Sequence, residues 1–195
     1  MSSSSTPIDL FVASANMRFA QAARLFRNIP QIAEDMSQHP GDETAPAFLH
    51  ALLTGDIPEE AITFAAYSLQ PRYSVWWAHE CLTGIAEVLT EEDRQMLAVA
   101  AAWVAQPDEI TRQRALTAGY GAALRGPGVW VALAAGWSGG SMAPPDQPDV
   151  PASDFLTGRA VNAAVLTALA HIPIEQRRLR LGHFVSMAEV LARGS

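Results

Sequence analysis

The residues with the clearest chemical potential are Gly136-Trp137-Ser138-Gly139-Gly140, which satisfy G-x-S-x-G. In an α/β-hydrolase that spacing makes a sharp strand-to-helix turn and lifts a serine hydroxyl out for nucleophilic attack. Chain order supplies the other groups: Asp146, Asp149 or Asp154 as the acid, and His171 or His183 as the base that takes the serine proton. The mechanism also needs a strand before the serine, a helix directly after it and parallel strands upstream. Here the upstream residues read as helices. Downstream, Ser141-Met142-Ala143-Pro144-Pro145 cannot continue as a helix, because adjacent prolines remove donors and clash with the preceding turn. The expected structure is a helix ending at Trp137, closed by Gly139 or Gly140 in the left-handed conformation, with Ser138 and Ser141 bonded to local backbone. A serine hydrolase using Ser138 is the alternative to that reading.

Metal chemistry has less to start from. His79-Glu80 opens H-E-x-x-H, but Thr83 stands where the second imidazole must be. His79 and Cys81 lie about 200° apart around a helix, too far to share one ion. Cys81 falls instead on the stripe Tyr73, Trp77, Cys81, Ile85, where a small core hydrophobe belongs. His39, His50, His171 and His183 stand in no ligand-like spacing, and Glu91-Glu92-Asp93 suits a helix start. With no lysine anywhere, no phosphate-cradling G-x-x-x-x-G-K-[ST] loop exists. No metal and no cofactor are expected.

Contact chemistry is better represented. Adjacent Trp76 and Trp77 point about 100° apart on one helix, so a neighbour on each side must bury them, or one is a surface anchor. Arg177-Arg178-Leu179-Arg180 is the only basic cluster, a solvated helix face or a dock for an acidic segment. Residues 138–153 form a long Gly/Pro loop, either a strap over the surface or a recognition segment. The two P-x-x-P matches within it lack flanking basic residues. Trp137, Ser138, Gly139, Gly140 and Ser141 join Trp76, Trp77, Arg177 and Arg178 as interaction candidates. A ligand cavity lined by Trp103, Trp130 and Phe155 is a third possibility for function.

The elements that must position these residues are helices. Alanine supplies 35 of 195 residues, and Ala, Leu, Glu, Gln, Met and Arg fill most segments between prolines. Cap and proline signals place helices at 17–27 after Ser14, 47–53 after Thr44, and 59–69 after Asp56-Ile57-Pro58. Further helices follow at 72–89 after Pro71, 95–105 after the capping box at Thr90, and from Pro107 towards Leu124. The last three occupy 129–137, 157–170 and 174–193. Segment 96–105 is apolar all round and is expected near the centre. A shift of 36 residues lays Gln70-Pro71 on Gln106-Pro107, which suits either an αα-hairpin array or an irregular bundle. The fold expected is all-α: one domain over 14–193 with eight or nine helices, after a disordered leader at 1–13.

Composition narrows the function. Twenty acids against thirteen arginines give a net charge of −7, which argues against a general nucleic-acid or anionic-membrane binder. The acidity is concentrated: residues 1–97 carry thirteen acids and five arginines (−8), residues 98–195 seven and eight (+1). Opposite balances in the two halves suit self-association into a homo-oligomer. A single cysteine and no apolar run of about 18 residues point to a cytoplasmic, reducing setting without membrane insertion.

Val75-Trp76-Trp77-Ala78-His79-Glu80-Cys81, then Ala102-Trp103-Val104, then Gly136-Trp137-Ser138-Gly139-Gly140-Ser141-Met142-Ala143-Pro144-Pro145, resemble an uncharacterised bacterial family of small all-helical proteins. The likeness spans about residues 45–193, and Leu156-Thr157-Gly158-Arg159-Ala160-Val161 matches the arginine helix behind its second motif. The resemblance implies proximity to type VI secretion gene clusters, hence an accessory, adaptor or chaperone-like role. The function expected is a non-catalytic protein-interaction module with a protein partner.

Overall fold

The computed structural model describes residues 16–144 and 146–193. The leader expected over 1–13, and Ser14 as a cap, lie outside the described residues. Nine α-helices follow one another, with no strand among the described residues: α1 (Ala22–Asn28), α2 (Ala45–Thr54), α3 (Glu60–Ser68), α4 (Pro71–Thr83), α5 (Glu91–Ala105), α6 (Glu109–Gly121), α7 (Pro127–Gly136), α8 (Leu156–Ala170) and α9 (Ile174–Arg193). The fold is all-α. Starts follow the sequence signals closely. Thr44, Thr90 and Asp108 cap α2, α5 and α6 through their side-chain oxygens, the last two as reciprocal capping boxes, while Pro71 and Pro127 open α4 and α7.

At the centre α7 packs on α8; α4, α5 and α6 also pack on α7, while α3, α4 and α9 also pack on α8. The pairs α3–α4 and α5–α6, which share the Gln-Pro junction, flank this central pair, a bundle arrangement. Every residue of α3 is buried, as is all of α7 except Trp130. Polar groups in α3 are satisfied rather than absent. Glu60 accepts from Ser37 N (2.5 Å), Ser37 Oγ (2.8 Å) and Gln38 N (3.1 Å), and Thr63 Oγ1 donates to Asn162 Oδ1 (3.0 Å).

Several expectations are corrected. Helix α5 is not central: only Asp93, Leu97, Ala100 and Trp103 are buried, one stripe, while Ala98, Ala102 and Ala105 are exposed. Its alanines report helix propensity, and their small side chains gain little from burial. The first helix starts at Ala22 instead of residue 17, because Met17 bridges Leu69 in extended form and Arg18 N donates to Ser68 O (2.8 Å). Helix α4 stops at Thr83, before Gly84, and a 3-10 turn, Ala86–Val88, replaces its expected last turns.

Candidate functional site

The end of α7 is built around a buried arginine. Gly140 has φ 61°, the left-handed conformation expected for one of the two glycines. Ser138 Oγ donates to Ala135 O (2.6 Å), and Ser141 Oγ accepts from Ala143 N (3.0 Å) and Val150 N (3.1 Å). Arg112 of α6, only 4% exposed, donates through Nη1 to Gly136 O (2.5 Å) and through Nη2 to Ser141 O (2.9 Å). Its Nε and Nη2 also bond Glu109, whose carboxyl is held below the ordinary carboxylate range by that pairing. A Cβ at Gly140 would sit 2.9 Å from this guanidinium, whereas one at Gly139 would meet nothing within 4 Å. The loop 138–153 is tied back on itself by Met142 N to Val150 O (2.7 Å) and a bridge between Ser141 and Pro151. His171 Nδ1 pairs with Thr167 O, and His183 lies against Phe184; neither is bonded to Ser138 Oγ among the described residues.

The two tryptophans of α4 separate as their 100° offset requires. Trp77 is fully buried and its Nε1 donates to Phe184 O of α9 (2.8 Å). Trp76 is 39% exposed and forms one wall of a groove of about 300 Å³ with Arg72, Tyr73, Val104 and Leu191. Arg72 is held at the rim, its Nε donating to Val104 O (2.9 Å). The same helix thus offers an aromatic to solvent and locks it with a buried neighbour one residue on. Sequence reasoning placed Trp76 here as a candidate but gave its groove partners no such role, since Val104 and Leu191 come from α5 and α9.

A second polar centre ties the N-terminal segment to α8. Arg159 donates through Nε to Asp35 Oδ2 (3.0 Å) and Tyr67 OH (3.2 Å), and through Nη2 to Glu34 Oε2 (2.9 Å) and Gln31 O (3.2 Å), with Phe155 4.9 Å beneath it. Tyr67 OH donates to Asp35 in turn. Burial, then the hydrogen bond to Asp35, pushes the Tyr67 phenol above its ordinary value against the opposing pull of Arg159. The unfolded phenol ionises near pH 10, so the native state keeps a proton that the unfolded state loses. This contribution is complete below pH 10 and declines as pH rises further. Urea midpoints followed from about pH 9 to about pH 11 are expected to fall more steeply for the wild type than for Tyr67→Phe. Equal slopes would remove the buried phenol from the account. Next to this centre, residues 28–31 and 151–155 line a cleft of about 470 Å³.

The remaining candidates have local duties. Arg177 donates to Leu169 O (3.1 Å), Ala170 O (3.1 Å) and Ile172 O (3.2 Å), closing the carbonyl end of α8. Arg178 is exposed beside Asp56 and Glu59 in a cleft that Ile174 also lines. Trp137 Nε1 donates to Tyr120 OH (3.1 Å) and its ring lies 6.5 Å from that of Trp130, while Phe155 has Arg159 as its neighbour. Cys81 is buried, which pushes its thiol well up, and Glu80 adds to this. Among the described residues no three His, Cys, Asp or Glu side chains form a group able to hold a metal ion. Among the described residues no helix is long and apolar enough to cross a membrane.

The family described as "Family of unknown function (DUF6931)" matches residues 48–192. The chain belongs to the DUF6931 family. The DUF6931 span takes in α2 from Phe48 onward, everything from α3 to α8, and α9 up to its penultimate residue. All five groove residues around Trp76 and the Arg112 turn fall inside it, while Gln31, Glu34 and Asp35, which hold Arg159, fall outside. No curated protein and no solved structure matches the chain.

Proposed function

We propose that the protein is a non-catalytic interaction module whose α4 groove receives a short apolar segment of a protein partner. The observation that carries this is the half-exposed Trp76, fixed on a helix whose next residue, Trp77, is fully buried and bonded to α9. Tryptophan, tyrosine and arginine dominate binding hot spots because they bury large rigid areas at small entropic cost, and Trp76, Tyr73 and Arg72 stand together here. The groove is apolar with one cationic rim, which selects a segment carrying aliphatic or aromatic side chains and a carboxylate. An adaptor, accessory or chaperone-like duty in a secretion system is supported by the family resemblance alone. Self-association through the oppositely charged halves belongs to the same proposal.

The test is affinity purification at low salt with mass spectrometry, using the wild type, Trp76→Ala and Ser138→Ala. A specific partner is expected with the wild type and Ser138→Ala, and Trp76→Ala is expected to weaken it by at least about 2 kcal/mol, roughly 30-fold. Far-UV circular dichroism of Trp76→Ala should match the wild type, since the ring is not part of the sealed core. A partner held equally by all three would move the interface elsewhere. Turnover of an ester by the wild type, lost in Ser138→Ala, would favour the hydrolase instead.

A further inference from the structure

We infer that the cleft between the α2–α3 connection and the first turns of α9 is the interface of a twofold dimer of this chain, in which Arg178 of each copy reaches Asp56 and Glu59 of the other. This surface deepens the self-association proposed above and rests on it. Asp56, Pro58 and Glu59 form one lip of the cleft and Ile174, Arg177 and Arg178 the other, around a volume of about 290 Å³ that buried Leu181 also lines. The lips are opposite in sign. Asp56, Glu59 and Arg178 are all exposed, yet among the described residues none of the three side chains makes a hydrogen bond or an ion pair. Beside them Ile174 is 73% exposed, and Ile57, between Asp56 and Pro58, is 44% exposed.

Backbone bonds hold both lips. Glu60 N donates to Ile57 O (3.0 Å) and Ala61 N to Pro58 O (3.1 Å), which closes the turn before α3. Gln176 N donates to Pro173 O (2.9 Å), and Arg177 ties the start of α9 to the carbonyl end of α8. The frame is set before association, so ordering costs side-chain rotamers alone. A wholly acidic partner meets repulsion from Asp56 and Glu59, and a wholly basic one from Arg177 and Arg178. A second copy turned about a twofold axis meets attraction on both lips, because residue i contacts j while j contacts i, and each charge contact is made twice. Ile174 stands one helical turn, about 6 Å, from Arg178 and on the same side of α9, so the same contact covers apolar surface that the single chain leaves in water. The charge asymmetry of the sequence meets itself here: the acids come from the half at −8 and the arginines from the half at +1. A contact of a few side chains per copy falls at the small end of specific interfaces, so the dimer is expected to form at about 10–100 µM. Leu191, in the Trp76 groove, lies seventeen residues along α9 from Ile174, about 25 Å away, so both surfaces can be occupied at once.

The experiment is sedimentation velocity of the purified full chain over about 1–300 µM. The wild type is expected to pass from the mass of one chain to that of two, and to associate several-fold more weakly at about 0.5 M salt than at about 0.05 M. Arg178→Glu and the double variant Asp56→Arg/Glu59→Arg are each expected to weaken association at least about 30-fold, since every cross-contact becomes repulsive. Mixed in equal amounts, these two variants are expected to regain a dimer near wild-type strength. In that mixture the replaced position 178 of one copy faces the replaced positions 56 and 59 of the other, while the unreplaced charges meet as before. Ile174→Ala, outside the core, is expected to weaken the dimer about 5-fold. A wild type that stays single throughout, a dimer indifferent to Arg178→Glu, or a mixture no stronger than its components would each overturn the proposal. Circular dichroism of each variant checks its fold, and should a charge reversal fail to fold, Ile174→Ala decides, with unchanged association overturning the cleft. Because the dimer is read on purified protein and the α4 groove by partner recovery, the two readings fail separately.

Discussion

Replacing Gly128 by alanine is expected to destabilise the protein by about 3 kcal/mol or more, with a fall in Tm of about 6–12 °C. A Cβ at this position would overlap the Asp93 carbonyl oxygen and lie 2.6 Å from the Asp93 Cα. Both are backbone atoms of α5, so no rotamer change relieves the overlap; α5 and α7 must move apart. The approach is close for a reason. Gly128 N donates to the buried Asp93 Oδ1 (2.8 Å), whose other oxygen accepts from Thr90 N (3.1 Å) and Thr90 Oγ1 (2.7 Å). One carboxylate thus caps α5 and anchors the start of α7. Gly182→Ala in α9 is the control, since a Cβ there would meet nothing within 4 Å. It is expected to add about 0.8 kcal/mol through helix propensity alone. Urea midpoints of both variants check the pair. A Gly128→Ala protein within about 0.5 kcal/mol of the wild type would contradict the α5–α7 contact.

Asp93 also illustrates how much of the molecule is legible in sequence. Its place in a capping box with Thr90 follows from residue types three apart, because that interaction is local. Its bond to Gly128 does not, because the partner is 35 residues away and any of the glycines could have met it. The same division runs through the fold. Helix starts at Thr44, Pro71, Asp108 and Pro127 come from local chemistry, and the span of α9 matches its apolar spacing. The depth of a helix in the bundle is a tertiary property. Alanine-rich α5, expected near the centre, buries a single stripe, whereas α3 is buried throughout although it carries Glu60, Thr63 and Ser68. Polar residues survive burial in α3 because partners from the segment before α2 and from α8 satisfy them.

The candidate surface divides in the same way. Opposed orientations for Trp76 and Trp77 follow from adjacency on a helix, yet which of them faces water depends on where α9 lies. Arg159 is marked in sequence only by the arginine helix of the family resemblance, which names none of its partners, because all four lie more than 90 residues upstream. The G-x-S-x-G spacing correctly announces a tight glycine turn. It does not announce the arginine that fills it, although a helix end with unsatisfied carbonyls always requires donors from somewhere.

That arginine carries the second large effect. Arg112→Met is expected to cost about 2–4 kcal/mol, because Gly136 O loses its guanidinium donor, Ser141 O keeps the longer bond from Gln113 Nε2 (3.3 Å) but loses the one from Arg112, and methionine replaces neither. The loss should also be local before it is global. Met142 N and Ala152 N, bonded to Val150 O and Gly140 O, should exchange with deuterium much faster in the variant, while α3 keeps nearly its wild-type ranking as the slowest region. Glu109 tests the competing explanation. Its side chain is 62% exposed, so Glu109→Gln removes a largely solvated ion pair and should cost no more than about 0.5 kcal/mol. Arg112→Lys separates charge from geometry: a single ammonium cannot bond Gly136 O and Ser141 O in the forked arrangement of a guanidinium, so it should recover less than half of the loss. Full recovery by lysine, or a large loss on Glu109→Gln, would mean that the turn is held by charge pairing. The expected pattern means that the Ser-Gly-Gly-Ser segment is a closure seated on a buried guanidinium, with Ser138 turned back onto α7.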